Sequence, residues 1–242
     1  MAPHSEPTRY VLSYGGGVNT TALMIYLVKK KMPLDEAVFA DTGGELPETY
    51  LNIEMAKRYL GKRGIPLTIV RSKNGTLLDT CIRRKVIPSQ VWRWSTRDYK
   101  ITPIHAHYRS LKAHINEYLG IAYDEIERMK ANRKPYITSL FPLIDAEMTR
   151  EDCIQLINKE GLPMPVKSGC YFCPFNTAER WGYISKYHPR KYSKAMWLEE
   201  NSKFFPKQTL HKLTLRGLKA EHFNGRSKLI PLEQPCGAYC MT

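Results

Sequence analysis

The amino-acid sequence predicts an α/β fold with a doubly wound, mostly parallel sheet. Short apolar segments with the length of buried strands alternate with segments whose apolar residues have helical spacing. This alternation is typical of parallel βαβ units. At 242 residues, the chain has the length of one large domain with a modest appendage.

The predicted elements follow one another closely in the first half of the chain. Strands are predicted at residues 9–13, 37–40, 67–70 and 119–122. Helices are predicted at residues 20–31, 48–60, 104–118 and 149–158. Thr149, followed by Asp152 three residues later, resembles a capping box at the start of the last helix. Residues 72–109 begin with a broken, basic pattern that indicates a functional loop region.

The residue composition changes after Gly161, and we place a domain boundary near residue 162. Residues 1–162 contain the predicted sheet and the glycine loop described below. Residues 163–242 form a basic, aromatic, cysteine-containing C-terminal region.

The charge balance predicts a polyanionic partner. The chain has 37 Lys and Arg against 23 Asp and Glu, a net charge of +14. Neutralised phosphates release counterions and so raise affinity, although a charged surface also serves solubility. The chain contains no run of 18 apolar residues, so no membrane span is indicated. The first ten residues lack the apolar stretch of a secretory signal. We therefore expect a cytoplasmic protein without a membrane partner, in which thiols stay reduced.

A glycine cluster between the first strand and the first helix is a candidate phosphate site. Consecutive glycines allow a tight turn and bring backbone N–H groups close to phosphate oxygens, and the helix N-terminus adds a positive dipole. A tight structural turn is the alternative explanation. The candidate nucleotide-binding residues here are Ser13, Gly15, Gly16, Gly17, Asn19 and Thr20. The pattern is neither a Walker loop nor GxGxxG.

Five cysteines are candidate metal or sulfur ligands: Cys153, Cys170, Cys173, Cys236 and Cys240. The CxxC and CxxxC pairs among them have the spacing of zinc or iron–sulfur ligands. A cluster held by Cys153, Cys170 and Cys173, with an open iron site for sulfide, is a second possibility. A persulfide relay is a third. Burial as small apolar residues is the alternative for Cys81 and Cys153.

Cations and aromatic rings are interleaved in the C-terminal region. They are Arg180, Trp181, Lys186, Tyr187, Arg190, Lys191, Tyr192, Lys194 and Trp197, and basic residues continue to Lys228. Cations along a backbone with rings under the bases are typical of single-stranded nucleic-acid binding. Core aromatic residues beside a solvated basic face are the alternative.

Residues 15–20 resemble the SGGxDS PP-loop of N-type ATP pyrophosphatases and phosphoadenosine phosphosulfate (PAPS) reductases. Gly15 stands at the usual serine, Val18 at a frequent lysine and Asn19 at the aspartate. The resemblance implies a Rossmann-like fold of the adenine nucleotide alpha hydrolase type. It also implies ATP and Mg²⁺ as cofactors.

The resemblance extends over four further segments, from residue 41 to residue 163. Residues 41–50 resemble DTGxxFPETY, which implies that Asp41, Thr42 and Gly43 help to hold the nucleotide. Residues 94–104 resemble the basic CxxxKxxPL segment, with Ser95 at the cysteine. Residues 120–128 resemble a nucleotide-side stretch that begins at a glycine, and residues 141–163 resemble NPLI…LP. By this resemblance Gly120 binds nucleotide, and the catalytic candidates are Arg97, Lys100 and Arg128.

This family resemblance predicts an ATP pyrophosphatase that adenylates a nucleic-acid group so that sulfur can replace oxygen. The DndC- and SspD-type DNA phosphorothioation enzymes are the most similar relatives. They imply DNA rather than RNA as the partner and a cysteine desulfurase as sulfur donor. Whether the chain forms a homo-oligomer is left open. The alternatives are a PAPS or APS reductase, a transfer RNA thiolation enzyme and a non-catalytic nucleic-acid-binding subunit.

Overall fold

The computed structural model describes residues 7–89, 92–130, 132–203 and 215. The strands of this part of the chain are β1 (Thr8–Ser13), β2 (Glu36–Asp41), β3 (Leu67–Arg71), β4 (His114–Leu119) and β5 (Ile137–Leu140). They form one parallel sheet in the order β3-β2-β1-β4-β5. The chain winds outward on one side of β1 and then on the other. The predicted doubly wound α/β fold is confirmed, and its switch point lies between β1 and β4, where open sheets of this kind bind ligands.

Helices connect and cover these strands. They are α1 (Val18–Lys29), α2 (Pro47–Gly61), α3 (Leu77–Arg84), α4 (Trp94–Thr96), α5 (Thr102–Ser110), α6 (Pro142–Asp145), α7 (Arg150–Lys159), α8 (Ala178–Tyr187) and α9 (Pro189–Glu200). A π-helical turn at Arg97–Ile101 joins α4 to α5, and a 3₁₀ turn spans Tyr123–Arg128. None of the described helices is both long and apolar enough to cross a membrane.

Both faces of the sheet are covered by apolar side chains. Successive strand residues point to opposite faces, so Leu12 and Val11 of β1 belong to different clusters. Leu12 packs with residues of α1, α2 and α7, such as Leu23 and Ile157. Val11 packs with Tyr108 of α5. The sheet is therefore a middle layer with its strand ends free to build a site.

The C-terminal segment packs near the carboxyl ends of β2 and β3. Trp181 of α8 and Phe172 share one apolar cluster with Leu46 and Leu77, which follow those two strands. The Tyr171 N–H donates to the Gly44 carbonyl oxygen at 2.9 Å. This packing brings the CxxC segment to the edge of the sheet where the loops lie.

The predicted helix over residues 104–118 and strand over 119–122 are wrong. Helix α5 ends at Ser110, Lys112 adopts a positive φ of 48°, and β4 occupies residues 114–119. Apolar residues at positions 104, 108, 111, 115 and 118 have helical spacing. Pairing with β1 and β5 on either side outweighs that local preference.

The capping box at the start of α7 is confirmed. The Thr149 hydroxyl accepts from the Asp152 N–H, and the Thr149 N–H donates to the Asp152 carboxylate at 2.9 Å. Two of the otherwise unpaired N–H groups of the helix start are satisfied in this way, so α7 begins at a defined residue.

Candidate functional site

The glycine loop joins β1 to α1 at the switch point. Gly16 has a φ of +72°, and a side chain there would meet Thr49 and Ile53 at 3.3 and 3.4 Å, so the turn suits glycine. The Asn52 amide donates to the Gly16 carbonyl oxygen at 3.1 Å. The N–H groups of Val18, Asn19 and Thr20 at the start of α1 have no partner inside the helix. Together with the helix dipole, they form a local phosphate-binding surface.

A cavity of about 170 Å³ lies against this loop, and we call it the first cavity. Its other walls come from the segments that follow β2, β3 and β4 and from residues 167–175. The basic residues that line it are Arg93, Lys100, Arg128, Arg150 and Lys167. Of the described lining residues, Glu125 alone carries a carboxylate. This charge balance suits a polyanion such as a nucleotide polyphosphate.

Three buried nitrogen atoms at this cavity have no hydrogen-bond partner within the described chain. They are Nε of Arg128, Nε of Arg150 and Nζ of Lys167. Leaving a buried donor unsatisfied costs about 1–3 kcal/mol, and more when the group is charged. Anionic oxygens in the cavity would supply the missing acceptors.

Asn19 of the glycine loop lies in a network of charged groups. Its amide nitrogen donates to Glu125 Oε2 at 2.9 Å, and its amide oxygen accepts from Arg150 at 3.3 Å. The other Glu125 oxygen pairs with Arg128 at 2.7 Å. An amide can donate and accept at once, which a carboxylate cannot do. Asparagine therefore suits this position between a carboxylate and a guanidinium.

The CxxC segment forms another wall of the first cavity. Cys170 and Cys173 both line the cavity. Glu45 anchors the segment by accepting from the Gly169 N–H at 2.9 Å, and the Thr42 hydroxyl lies 3.2 Å from the Cys170 sulfur. Burial, followed by the Glu45 carboxylate, raises the pKa of Cys170 to about 12. Cys170 is therefore a neutral thiol at pH 7, whereas Cys173 is only half-buried.

Residues 9–165, well over half of the chain, match the family model of the phosphoadenosine phosphosulfate reductase domain. The chain belongs to this family. No curated protein matches the chain. The family model ends before the CxxC pair, so the basic and cysteine-containing wall at residues 167–175 lies outside the matched region.

Three solved structures are similar to the chain at low identity. A PAPS reductase from Candida auris in a phosphate complex is 14% identical, covering 65% of this chain and 75% of that chain with a TM-score of 0.49. The U34-tRNA thiolase NcsA from Methanococcus maripaludis, with its [4Fe-4S] cluster, is 16% identical, with coverages of 81% and 72% and a TM-score of 0.44. An NH₃-dependent NAD synthetase from Campylobacter jejuni subsp. jejuni NCTC 11168, in complex with nitrate, is 14% identical, with coverages of 85% and 88% and a TM-score of 0.42. Similarities this low carry nothing about activity.

Most of the site residues predicted for this PAPS reductase family member meet at the first cavity. The predicted residues that line it are Gly15, Gly17, Asn19, Thr20, Thr42, Lys100, Gly120, Arg128, Cys170 and Cys173. The Thr20 hydroxyl donates to the Gly17 carbonyl oxygen at 3.2 Å. The fold thus joins the loop, the segment after β4 and the CxxC pair in one place.

Four of the predicted nucleotide-binding residues lie beside the first cavity rather than on its surface. Asp41 accepts from the Gly43 N–H and the Tyr50 hydroxyl, both at 2.9 Å, and pairs with Arg71. Asp41 and Gly43 therefore shape the turn after β2. Gly16 packs toward α2, and Ser13 lines a second cavity described below.

Arg97 and Lys100 lie on the same π-helical turn but in different surroundings. Lys100 lines the first cavity, but the Arg97 side chain is 74% exposed and pairs with its neighbour Asp98 at 2.7 Å. Arg97 does not line either cavity of the described chain. A catalytic role for Arg97 stays a prediction that its position does not support.

The predicted metal-binding cysteines do not converge in the part of the chain that is described. Cys153 lies on α7 and faces the core, where burial raises its pKa to about 12. No group of three or more Cys, His, Asp and Glu side chains among the described residues is arranged to hold a metal ion. The cluster of Cys153, Cys170 and Cys173 is thus not assembled, and Cys236 and Cys240 lie outside the described residues. We derive no step through a metal cluster.

Sequence reasoning did not single out Arg93, Glu125, Arg150 or Lys167 as site residues. Glu125 and Arg150 lie in segments that resemble the family, but neither has a distinctive spacing. Lys167, three residues before Cys170, is one of many lysines in a basic region. Only the fold brings these four side chains to one cavity.

Proposed function

We propose that the chain is an ATP pyrophosphatase that adenylates a backbone phosphate of DNA, so that sulfur replaces one of its oxygens. One observation carries the proposal. The unpartnered nitrogens of Lys167, Arg128 and Arg150 share a cavity with the N–H groups of the glycine loop and with two cysteines. Phosphate binding and sulfur chemistry are thereby supported at a single place.

The first step that this arrangement supports is adenylyl transfer. A non-bridging oxygen of the acceptor phosphate attacks the α-phosphorus of ATP, and the bond to the bridging oxygen breaks. Pyrophosphate leaves with that bonding pair, and the acceptor is joined to AMP. The charge that develops on pyrophosphate is neutralised by the loop N–H groups and by the buried nitrogens of Lys167 and Arg150.

The second step exchanges oxygen for sulfur. The terminal sulfur of a persulfide on Cys173 attacks the acceptor phosphorus, and AMP leaves with the former acceptor oxygen. A second thiol then breaks the S–S bond and releases the phosphorothioate, with a disulfide as the other product. A cellular thiol supplies that second thiol, and a further cellular thiol reduces the mixed disulfide on Cys173 afterwards. The persulfide sulfur comes from a cysteine desulfurase.

The described residues of the first cavity do not fit a protein-held Mg²⁺ site. Its single carboxylate, Glu125, is already engaged by Asn19 and Arg128. Magnesium usually keeps several waters and binds through one or two carboxylates together with substrate phosphates. We derive no step through this ion.

The test is the release of pyrophosphate and AMP from ATP in the presence of single-stranded DNA and a cysteine desulfurase with cysteine, which loads the persulfide. We expect acceptor-dependent release in the natural protein. Removing one electrostatic contact to transferring phosphate typically lowers turnover by about 10²-fold, which is the expectation for Lys167→Ala. Lys57→Ala, at an exposed position of helix α2, is the matched control and should retain full activity.

The same samples distinguish the competing functions. A reductase would release sulfite from PAPS with a thiol reductant and no pyrophosphate from ATP. A non-catalytic binding subunit would do neither, and equal activity in the two lysine variants would remove Lys167 from the mechanism. If transfer RNA rather than DNA were the effective acceptor, the proposed adenylation would stand and only its substrate would be corrected.

A further inference from the structure

A second cavity, of about 590 Å³, lies beyond Gly120 at the carboxyl ends of β1, β4 and β5. Ser13, Leu119 and Ser139 of these strands line it. Gly120, Thr96, Lys100 and Arg128 line both cavities. The two spaces therefore meet at a wall that carries two cations, and a ligand in each would bring its charged group to the same place.

Most of the surface area inside the second cavity is apolar, although basic side chains such as His105, Lys130 and Arg133 also line it. Ile101 and Ile104, from the π-helical turn and α5, lie on one side, and Leu119 and Ile121 come from the end of β4. Apolar walls with a few polar groups are typical of sites for flat organic ligands, and the volume is in the usual range for small-molecule sites. A nucleobase has the size and shape for such a space.

Glu117 of β4 supplies a buried carboxylate to this cavity. One Glu117 oxygen accepts from the Tyr108 hydroxyl at 2.9 Å, and the Asn132 side chain donates a further bond. Burial raises the pKa of Glu117, and these two hydrogen bonds oppose that rise. When it is ionised, a carboxylate has about four acceptor positions. Two positions are therefore left for N–H groups of a ligand, and the protein bonds hold the carboxylate in place.

We propose that the second cavity binds one unstacked nucleotide of the acceptor strand, with its base against Glu117 and its phosphate at the wall of Lys100 and Arg128. Enzymes that act on single strands commonly hold an extruded base in this way. The bound phosphate would then lie beside the nucleotide of the first cavity. The acceptor role rests on the proposed function, whereas binding of a nucleotide by the second cavity does not.

The carboxylate selects among bases. Cytosine, adenine and guanine carry exocyclic amino groups that donate to a carboxylate, as cytosine does to Glu and Asp in base recognition. Thymine and uracil present carbonyl oxygens beside their single N–H, and these would face the Glu117 oxygens. Nucleotides with amino-bearing bases should therefore bind more tightly.

The experiment measures binding of dCMP, dTMP and ATP separately, by calorimetry, to the full chain and its variants. We expect dCMP to bind about tenfold more tightly than dTMP, and Glu117→Gln to remove that difference while ATP affinity stays unchanged. Lys167→Ala, which lines the first cavity alone, should weaken ATP and leave dCMP unchanged. Glutamine keeps one acceptor oxygen, and its amide nitrogen can donate to the Tyr108 hydroxyl oxygen in place of the lost acceptor, so the fold should survive.

A second pair of variants does not depend on Glu117. Ile101 lines the cavity and is 39% exposed, so Ile101→Glu introduces a negative charge without disturbing the core and should abolish dCMP binding. Leu51→Glu, at a position 66% exposed on α2, is the control and should bind dCMP and ATP normally.

Three outcomes would overturn the inference. Equal affinity for dCMP and dTMP would remove base selection by Glu117. Unchanged dCMP binding in Ile101→Glu would place the nucleotide elsewhere. Loss of ATP binding in Glu117→Gln would mean that the adenine of ATP itself occupies the second cavity. If ATP fails to bind while dCMP behaves as expected, the proposed function fails and the nucleotide site stands.

Discussion

Asn19 shows how one amide connects the glycine loop to the charged groups around it. It donates to Glu125 and accepts from Arg150, and Arg128 completes the network on the other Glu125 oxygen. Each of these side chains lines the first cavity. The charge of Glu125 is thereby compensated by Arg128 and by the Asn19 amide.

Replacing this amide by a carboxylate should weaken the site. Asn19→Asp loses the donor and places two carboxylates about 3 Å apart, an arrangement in which like charges disfavour ionisation. We expect ATP to bind about tenfold more weakly, equivalent to about 1.4 kcal/mol. Calorimetry on the natural protein and the variant measures the change.

The double variant Asn19→Asp with Glu125→Gln is the control for charge repulsion. The glutamine amide can donate to the new carboxylate while its oxygen accepts from Arg128, so ATP affinity should largely recover. Affinity in the single variant equal to that of the natural protein would show that the loop tolerates either residue.

The two cysteines of the CxxC pair should differ in reactivity. The thiolate is the nucleophile, and burial raises the pKa of Cys170 to about 12, so Cys170 stays a thiol. Cys173 is half-buried and lines the cavity. Brief treatment with iodoacetamide at pH 8, followed by peptide mass mapping, should therefore label Cys173 before Cys170. Faster labelling of Cys170 would contradict this order, and saturating ATP should slow the labelling of Cys173.

At the scale of elements, the site depends on the close packing of the end of β4 against the start of α1. A side-chain carbon on Gly120 would lie 2.7 Å from Thr20 Cγ2 and 2.9 Å from its Cα. The second distance involves backbone, which cannot move without shifting the first turn of α1. The absence of a side chain at Gly120 therefore determines where the loop N–H groups lie.

Gly120→Ala is expected to lower ATP affinity by at least tenfold, because contacts this close require the helix start to shift. Gly61→Ala, where an added carbon meets no atom within 4 Å, is the matched control and should bind ATP normally. Calorimetry with a thermal melt separates a displaced loop from an unfolded protein. Undiminished affinity in a folded Gly120→Ala variant would show that the loop adjusts.

At the scale of the whole molecule, the net charge of +14 favours long strands of nucleic acid over isolated nucleotides. Contacts to several phosphates make affinity fall with salt, by about 0.7 logarithmic units per contact for each tenfold rise with single strands. In the proposed function the two cavities contact one or two nucleotides, so we expect further phosphates to meet basic side chains outside them.

We expect a 20-nucleotide single strand of DNA to bind with a salt slope of about −3 or steeper, which corresponds to four or more phosphate contacts. Fluorescence anisotropy between 50 and 300 mM salt, about the range where such contacts weaken measurably, gives the slope. An uncharged peptide nucleic acid of the same sequence is the control and should not bind. Affinity that does not change with salt would point to a small-molecule substrate instead.

The sequence by itself determined the elements whose signals are local. Strands β1 to β3, helices α1 and α2, and the capping box of α7 are specified by apolar spacing and by side chains within a few positions of each other. The glycine loop and the segment after β2 were recognisable because a phosphate-binding turn requires particular residues at consecutive positions. The family followed from those motifs and is shown by the match over residues 9–165.

Only the tertiary structure decided what depends on residues far apart in the chain. The helical spacing of residues 104–118 gave way to strand β4 because β1 and β5 pair with it from both sides. Arg150 meets Asn19 across 131 positions and Gly169 meets Glu45 across 124, and no local pattern encodes either contact. The cavities, the exposed position of Arg97 and the separation of Cys153 from the CxxC pair follow from that packing, because side chains on different elements meet only once the sheet has formed.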